Sequence, residues 1–206
     1  MWKIPNWVAY ELTKEKMQGT VKRRDSFSKD PNIPARYSAK QSDYTHSGWD
    51  RGHMVPAGDM KWSEQAMYET FYFSNICPQN RNLNNGVWHN LEKQVRDLAI
   101  QKKQIFIICG PIINNEDKVR TIGDSFVFVP DAFFKVLLCK HKGNWHSIAF
   151  VFPNEAGNEP LSSYVMSVSD LQEITGIRFF PNMPDSIIYD LKNNVDLSIW
   201  NIKANY

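Results

Sequence analysis

The sequence predicts an α+β fold built on a central, mainly antiparallel sheet, and two patterns carry that expectation. From Val87 to about Lys102 the apolar residues Val87, Leu91, Val95, Leu98 and Ala99 recur at helical spacing, while Glu92, Lys93, Arg96 and Asp97 fill the other faces. Four later runs, 105–109, 125–129, 133–139 and 148–152, are short, rich in Ile, Val and Phe, and punctuated by Gly or Pro, as strands are. With 206 residues, 42% of them hydrophobic, the chain can bury a sizeable core. It carries no internal repeat, low-complexity tract or Pro/Gly/Ser-rich linker, so a single domain over residues 1–206 is expected.

Along the chain, residues 2–12 already have the composition of folded domain. Residues 18–47, polar and interrupted by Pro31 and Pro34, suit a long surface-hugging region with short strands. Residues 49–56 suit a short strand running into a Gly58-Asp59 turn, and a short helix is expected near 63–69. The aromatic triplet Phe71-Tyr72-Phe73 is a strand candidate, and residues 82–86 are turn-rich with an Asn85-Gly86 dipeptide. The Val87 helix follows, packed with the residue 49–56 strand against one face of the sheet formed by the four later runs. Ser169 with Gln172 resembles a capping box opening a helix that Gly176 closes. From Pro181 onward no pattern is informative.

The bulk properties exclude more than they select. A net charge of +2 is too small to argue for nucleic acid by itself, so any basic surface must be local. Cys77, Cys109 and Cys139 are odd in number and contain no C-x-x-C pair, which excludes a disulfide framework and a structural zinc site; Cys109 and Cys139 lie in apolar runs and read as buried thiols. No apolar run is long enough to span a bilayer, and the first ten residues lack the features of a secretory leader.

Chemistry concentrates in two segments. Asp50-Arg51-Gly52-His53 combines an imidazole that takes a proton near pH ~6–7, a guanidinium that grips phosphate oxygens, and a glycine that permits close backbone approach. Downstream, Asn75, Asn84 and Glu92 place amide and carboxylate oxygens before and along the Val87 helix, a set compatible with a hydrated Mg²⁺. Taken singly, each has an ordinary alternative: a surface Asp50–Arg51 ion pair, a packed His53, an Asn84 helix cap, a solvated Glu92.

Together the segments resemble the DNA/RNA non-specific endonuclease family, the ββα-metal nucleases of endonuclease G and Serratia type. The resemblance rests on Asp50-Arg51-Gly52-His53-Met54-Val55-Pro56-Ala57-Gly58-Asp59, on Ser74-Asn75-Ile76-Cys77-Pro78-Gln79 and on Leu83-Asn84-Asn85-Gly86-Val87-Trp88-His89-Asn90-Leu91-Glu92. Weaker echoes are Trp7 to Leu12, Gly110-Pro111, Pro130 to Lys135 and Thr175 to Phe180.

The resemblance implies a ββα-metal motif on the sheet and sequence-independent hydrolysis of DNA and RNA to products with 5′-phosphates. It implies His53 as general base, Asn84 as direct ligand to Mg²⁺ or Mn²⁺, and Glu92 as an outer anchor for the cation's waters. Arg51 and Asn75 would line the scissile phosphate, and either Arg23 or Arg24 would neutralise the transition state. Asp50 would support the cation's water shell or the strand. Homodimers are common in the family, and no inhibitor partner or membrane contact is readable. A nuclease is dangerous to its own genome, so a secreted or periplasmic destination is expected.

A non-catalytic nucleic-acid-binding or protein-interaction homologue is disfavoured because both the histidine and the metal asparagine are present. A serine hydrolase lacks a G-x-S-x-G turn, and a zinc site on His53 and His89 lacks a third ligand at recognisable spacing. His89 reads as an exposed helix residue, and His46, His141 and His146 as incidental.

Overall fold

Alternation along the longest strands decides the architecture. In the computed structural model, which describes residues 2–114 and 119–202, strand β7 (Ala132–His141) sends Phe133, Leu137 and Cys139 to one side of a sheet and Phe134, Val136 and Leu138 to the other. Both faces of this strand are buried, so the sheet is covered on two sides. It is five-stranded, in the order β1 (Val8–Thr13), β4 (Gln104–Ile112), β7, β8 (Asn144–Pro153) and β9 (Val165–Met166), with every neighbouring pair antiparallel.

On one face lies α4 (Val87–Lys102), burying Val87, Trp88, Leu91, Val95, Leu98 and Ala99 against Phe133, Ile148, Phe150 and Phe152. Its limits and apolar stripe are those the periodicity predicts. The opposite face is covered by α5 (Val168–Thr175) and α6 (Asp185–Asn193), through Leu171 and Leu191 and the intervening Phe179. The remaining elements are α1 (Gln41–Tyr44), β2 (Asp50–His53), α2 (Glu64–Glu69), β3 (Ile76–Gln79), α3 (Arg81–Asn85) and a hairpin of β5 (Arg120–Ile122) and β6 (Val127–Val129).

Four local expectations need correction. The 125–129 run does not join the central sheet: Gly123 and Phe126 adopt positive φ, so Ser125 and Phe126 belong to a turn, and β6 pairs with β5. That hairpin buries Ile122, Val127 and Val129 in a separate cluster with Tyr44, Phe73 and Ile76. Phe71-Tyr72-Phe73 is not a strand; Phe71 closes a turn by donating its N–H to the Tyr68 carbonyl, and Phe73 opens a 3-10 turn that leads into β3. Its aromatic rings serve two different clusters, a use of β-forming residues that propensity cannot foresee. Residues 82–85 are helical because the Asn80 side chain accepts the N–H groups of Asn82 and Leu83. The cap of α5 is Ser167, whose hydroxyl accepts the Asp170 N–H, and not Ser169; Gly176 ends the helix in the left-handed region as expected.

The three cysteines are free and buried. No helix among the described residues is long and apolar enough to cross a membrane.

Candidate active site

Strands β2 and β3 form a two-stranded antiparallel ribbon in which Arg51 faces Pro78, Gly52 faces Cys77 and His53 faces Ile76. The chain then passes through α3 into α4, so two strands and a helix bring the chemistry-bearing residues together. Gly86 is the joint between the two helices; a Cβ there would collide with the Asn82 carbonyl. Gly52 has no room either, since the buried Gln79 side chain folds across its α-carbon. The carbonyl of Met54, just beyond the ribbon, accepts the buried Cys109 thiol at 3.1 Å and so ties the ribbon to the central sheet.

A cleft of about 870 Å³ opens over this motif, and His53, Arg51, Asn84 and Glu92 all line it. His53 rests against Phe71 and Phe27, with ring centroids at 5.0 and 5.6 Å. Its Nε2 is buried, with no hydrogen-bond partner among the described residues. Burial, followed by the nearby Arg23 guanidinium, holds the imidazole down to about 4; Glu92 and the Arg51 backbone act in the opposite sense but do not prevail. The ring is therefore neutral at physiological pH, the form that accepts a proton.

Asn84 is fixed by Asp50: its Nδ2 donates to Asp50 Oδ2 at 3.1 Å, leaving its Oδ1 with no hydrogen bond to a described residue. Asp50 also accepts Asn85 Nδ2 at 3.2 Å and Arg81 Nε at 3.2 Å. Glu92 lies in the second turn of α4, buried at 9% exposure and not on the solvated face its neighbours Lys93 and Asp97 occupy. His89, expected to be an exposed helix residue, also lines the cleft, with Nδ1 3.4 Å from Glu92 Oε2.

Among the described residues no three His, Cys, Asp or Glu side chains could enclose a metal ion. The oxygen donors lining the cleft include the Asn84 amide oxygen, which has no hydrogen bond to a described residue, and the Asp50 and Glu92 carboxylates. That set fits a hard cation that keeps most of its waters, Mg²⁺ or Mn²⁺, and does not fit a tetrahedral zinc site.

Of the two candidate arginines, Arg23 lines the cleft, stacked 5.2 Å from the Phe71 centroid with Nε donating to Asp25. Arg24 lies over Tyr68 instead. Arg51 lies 4.5 Å from the centroid of Phe27.

Asn75 is not brought to the cleft. Its Nδ2 donates to the carbonyls of Val55 and Thr70, each at 2.9 Å, and its Oδ1 accepts the Val55 N–H at 2.9 Å. An amide committed to three backbone bonds braces the segment after His53 and has nothing left for a phosphate.

Sequence reasoning also missed a buried brace. Asp59 is fully enclosed, accepting Tyr10 Oη at 2.8 Å from β1 and Arg96 Nη1 at 2.8 Å from α4. Burial raises its carboxyl above the usual range, against the pull of Arg96. The signal was the Gly58-Asp59 pair closing the first motif, which read as a turn and nothing more.

Comparison with known proteins identifies the family and the fold. The family model for DNA/RNA non-specific endonucleases matches residues 2–186. The chain is similar to the mitochondrial nuclease EXOG of Xenopus laevis, at 39% identity over 195 residues covering 88% of this chain and 54% of that protein. It is 34% identical over 189 residues to the mitochondrial endonuclease G of Homo sapiens, covering 86% and 64%. The chain thus spans about half the length of the EXOG relatives it matches. A solved EndoG/EndoGI complex superimposes with a TM-score of 0.83 at 30% identity, over 89% of this chain and 81% of that one.

The mitochondrial names of these relatives overturn the expectation of a secreted or periplasmic destination, which rested on the danger of a free nuclease and on no residue of the sequence. The matched segment takes in the β2–β3 ribbon, Asn84 and Glu92 alike: the chain belongs to the DNA/RNA non-specific endonuclease family.

Proposed function

We propose that this chain is a divalent-cation-dependent endonuclease that hydrolyses phosphodiester bonds of DNA and RNA without reading base sequence, working as one catalytic domain over residues 1–206. One observation carries the reading: a neutral imidazole, an unpartnered amide oxygen and two ring-stacked arginines face the same cleft.

Asn84 would hold Mg²⁺ or Mn²⁺ through Oδ1 with Glu92 as an indirect carboxylate, and the bound cation supplies positive charge against the negative charge that develops on the phosphate. His53 takes a proton from water as the water oxygen bonds to phosphorus. The opposite P–O3′ bond breaks in line, and the 3′ oxygen takes a proton from solvent water to end as a hydroxyl, leaving a 5′-phosphate on the other product. Arg51 and Arg23 bind the non-bridging oxygens. Asn75 takes no part in this scheme beyond holding the segment that follows His53. Contacts to phosphate and sugar carry little sequence information, which accounts for cleavage at any base and of either sugar.

The test is incubation of the purified chain with plasmid DNA and with RNA, in Mg²⁺, in Mn²⁺ and in chelator, followed by end-group analysis. Both polymers are expected to be degraded to 5′-phosphate ends with either cation, and chelator is expected to stop the reaction. Intact polymers in Mg²⁺, or digestion indifferent to chelator, would refute the proposal.

A further inference from the structure

We propose that Arg120, held on the indole of Trp49, is a second phosphate-binding site for the nucleic-acid strand, a few nucleotides from the phosphate at His53. The inference rests on the reading of the cleft as a nucleic-acid site and adds a location and a residue pair to it.

Trp49 directly precedes β2 and lines the same cleft. Arg51 and His53 follow it at two-residue steps and both contact the Phe27 ring, while Trp49 and Phe27 pack against the same buried cluster. Strand rise places Trp49 roughly 13 Å along the chain from His53, farther than adjacent phosphates of one strand are spaced.

The guanidinium of Arg120 lies 5.2 Å from the Trp49 centroid. A guanidinium stacked on an indole keeps the N–H groups on its rim available and loses mobility, which prepares it for a bidentate phosphate contact. Arg51 on Phe27 and Arg23 on Phe71 show the same construction nearer His53. Arg81, Arg96 and Arg23 are paired with carboxylates, whereas Arg120 has no carboxylate partner among the described residues.

The hairpin carrying Arg120 is firmly seated. Its apolar side is buried with Tyr44, Phe73 and Ile76. At its turn Gly123, φ +65°, packs so closely on Asp43 that a Cβ would collide, and Ser125 donates its N–H to Asp43 Oδ1 at 3.1 Å. The exposed Arg120 is thus held by a fixed element over Trp49, which lines the cleft.

The experiment measures binding of a labelled single-stranded oligonucleotide of about twenty nucleotides by anisotropy, in EDTA and over a salt series. Arg120→Ala is expected to weaken binding roughly three- to tenfold and to lower the slope of log Kd against log salt by about one. Trp49→Phe should keep wild-type binding, Trp49→Ala should match Arg120→Ala, and the double alanine variant should lose no more than either single one. Unchanged affinity and salt slope in Arg120→Ala overturn the proposal; losses that add in the double variant overturn the role of Trp49 as the support. If Trp49→Ala fails to fold, the Arg120→Ala and Trp49→Phe measurements decide. A wild-type chain that binds the oligonucleotide but cleaves nothing faults the endonuclease reading and leaves this site standing. One that binds and cleaves, with Arg120→Ala indistinguishable from it, faults this site alone.

Discussion

Asn84 donates its amide nitrogen to the carboxylate of Asp50 at 3.1 Å, and that bond decides which end of the amide faces the cleft. A carboxylate accepting three donors, from Asn84, Asn85 and Arg81, orients the NH₂ group toward itself and the carbonyl oxygen away. Asn84→Ala is expected to abolish Mn²⁺ binding in calorimetry. Asp50→Ala frees the amide to rotate and should weaken binding about 10- to 100-fold, the range for partners that orient a ligand, with turnover recovering at high cation concentration. Wild-type Mn²⁺ affinity in Asp50→Ala would show that another contact orients the amide.

His53→Ala is expected to lower turnover by about 10²–10⁴-fold with cation affinity preserved, since a base contributes to proton transfer and not to ligation. Lost Mn²⁺ binding would make His53 a ligand instead. In the wild type the acid limb should lie well below an ordinary imidazole's, because burial and Arg23 hold the ring down to about 4. Arg23→Ala removes one of those causes, so the His53 resonance, followed by NMR in the cation-free chain, should titrate at higher pH than in the wild type. A titration that stays put would assign the depression to burial alone.

The same depression couples folding to pH. His53 is near 4 when folded and near its ordinary 6.5 when unfolded, so between those values the unfolded chain binds the extra proton. Its neutral burial costs nothing above pH ~6.5, and stability is lost as pH falls through that window to about 4, by at most about 3 kcal/mol. Urea denaturation of wild type and His53→Gln at pH 7 and pH 4.5 checks this: the variant's stability should fall less between the two. Equal losses would place the acid sensitivity elsewhere.

Asn75→Ala strands the Val55 N–H and the Val55 and Thr70 carbonyls in a buried segment, each unsatisfied group costing about 1–3 kcal/mol. A large fall in thermal stability is expected, with the salt dependence of oligonucleotide binding by the folded fraction unaltered. A normal melting temperature combined with a reduced salt slope would return Asn75 to the phosphate.

Much of this was legible in the sequence because it is local. The α4 stripe, the strand at 133–139 and the Gly176 cap depend on neighbours a few residues away, and the motif around His53 is contiguous. What could not be read depends on distant partners. Nothing near Asn75 reveals that its amide is consumed by the backbone of Val55 and Thr70. The separation of Arg23 from Arg24 follows from which ring each finds, Phe71 or Tyr68. The 125–129 run has strand composition, but whether it joins the sheet or a hairpin is decided by the turn at Gly123 against Asp43.

The pairing of β1 with β4 sets Val8 opposite Cys109, so the whole cleft-forming segment is an excursion between two adjacent strands. Closing a loop of that length costs about 4 kcal/mol of chain entropy before the first ladder bond compensates it. The β2–β3 ribbon and the α3–α4 pair are far less demanding, each closing over a short stretch of chain. Non-local pairing of this kind slows folding, and the difference in closure entropy sets an expected order, with the ribbon and its helices collapsing early and the first strand docking late. Tyr10 on that strand completes the bond to Asp59 only then, so β1, made before the cleft-forming segment, is expected to be the last element tied to it.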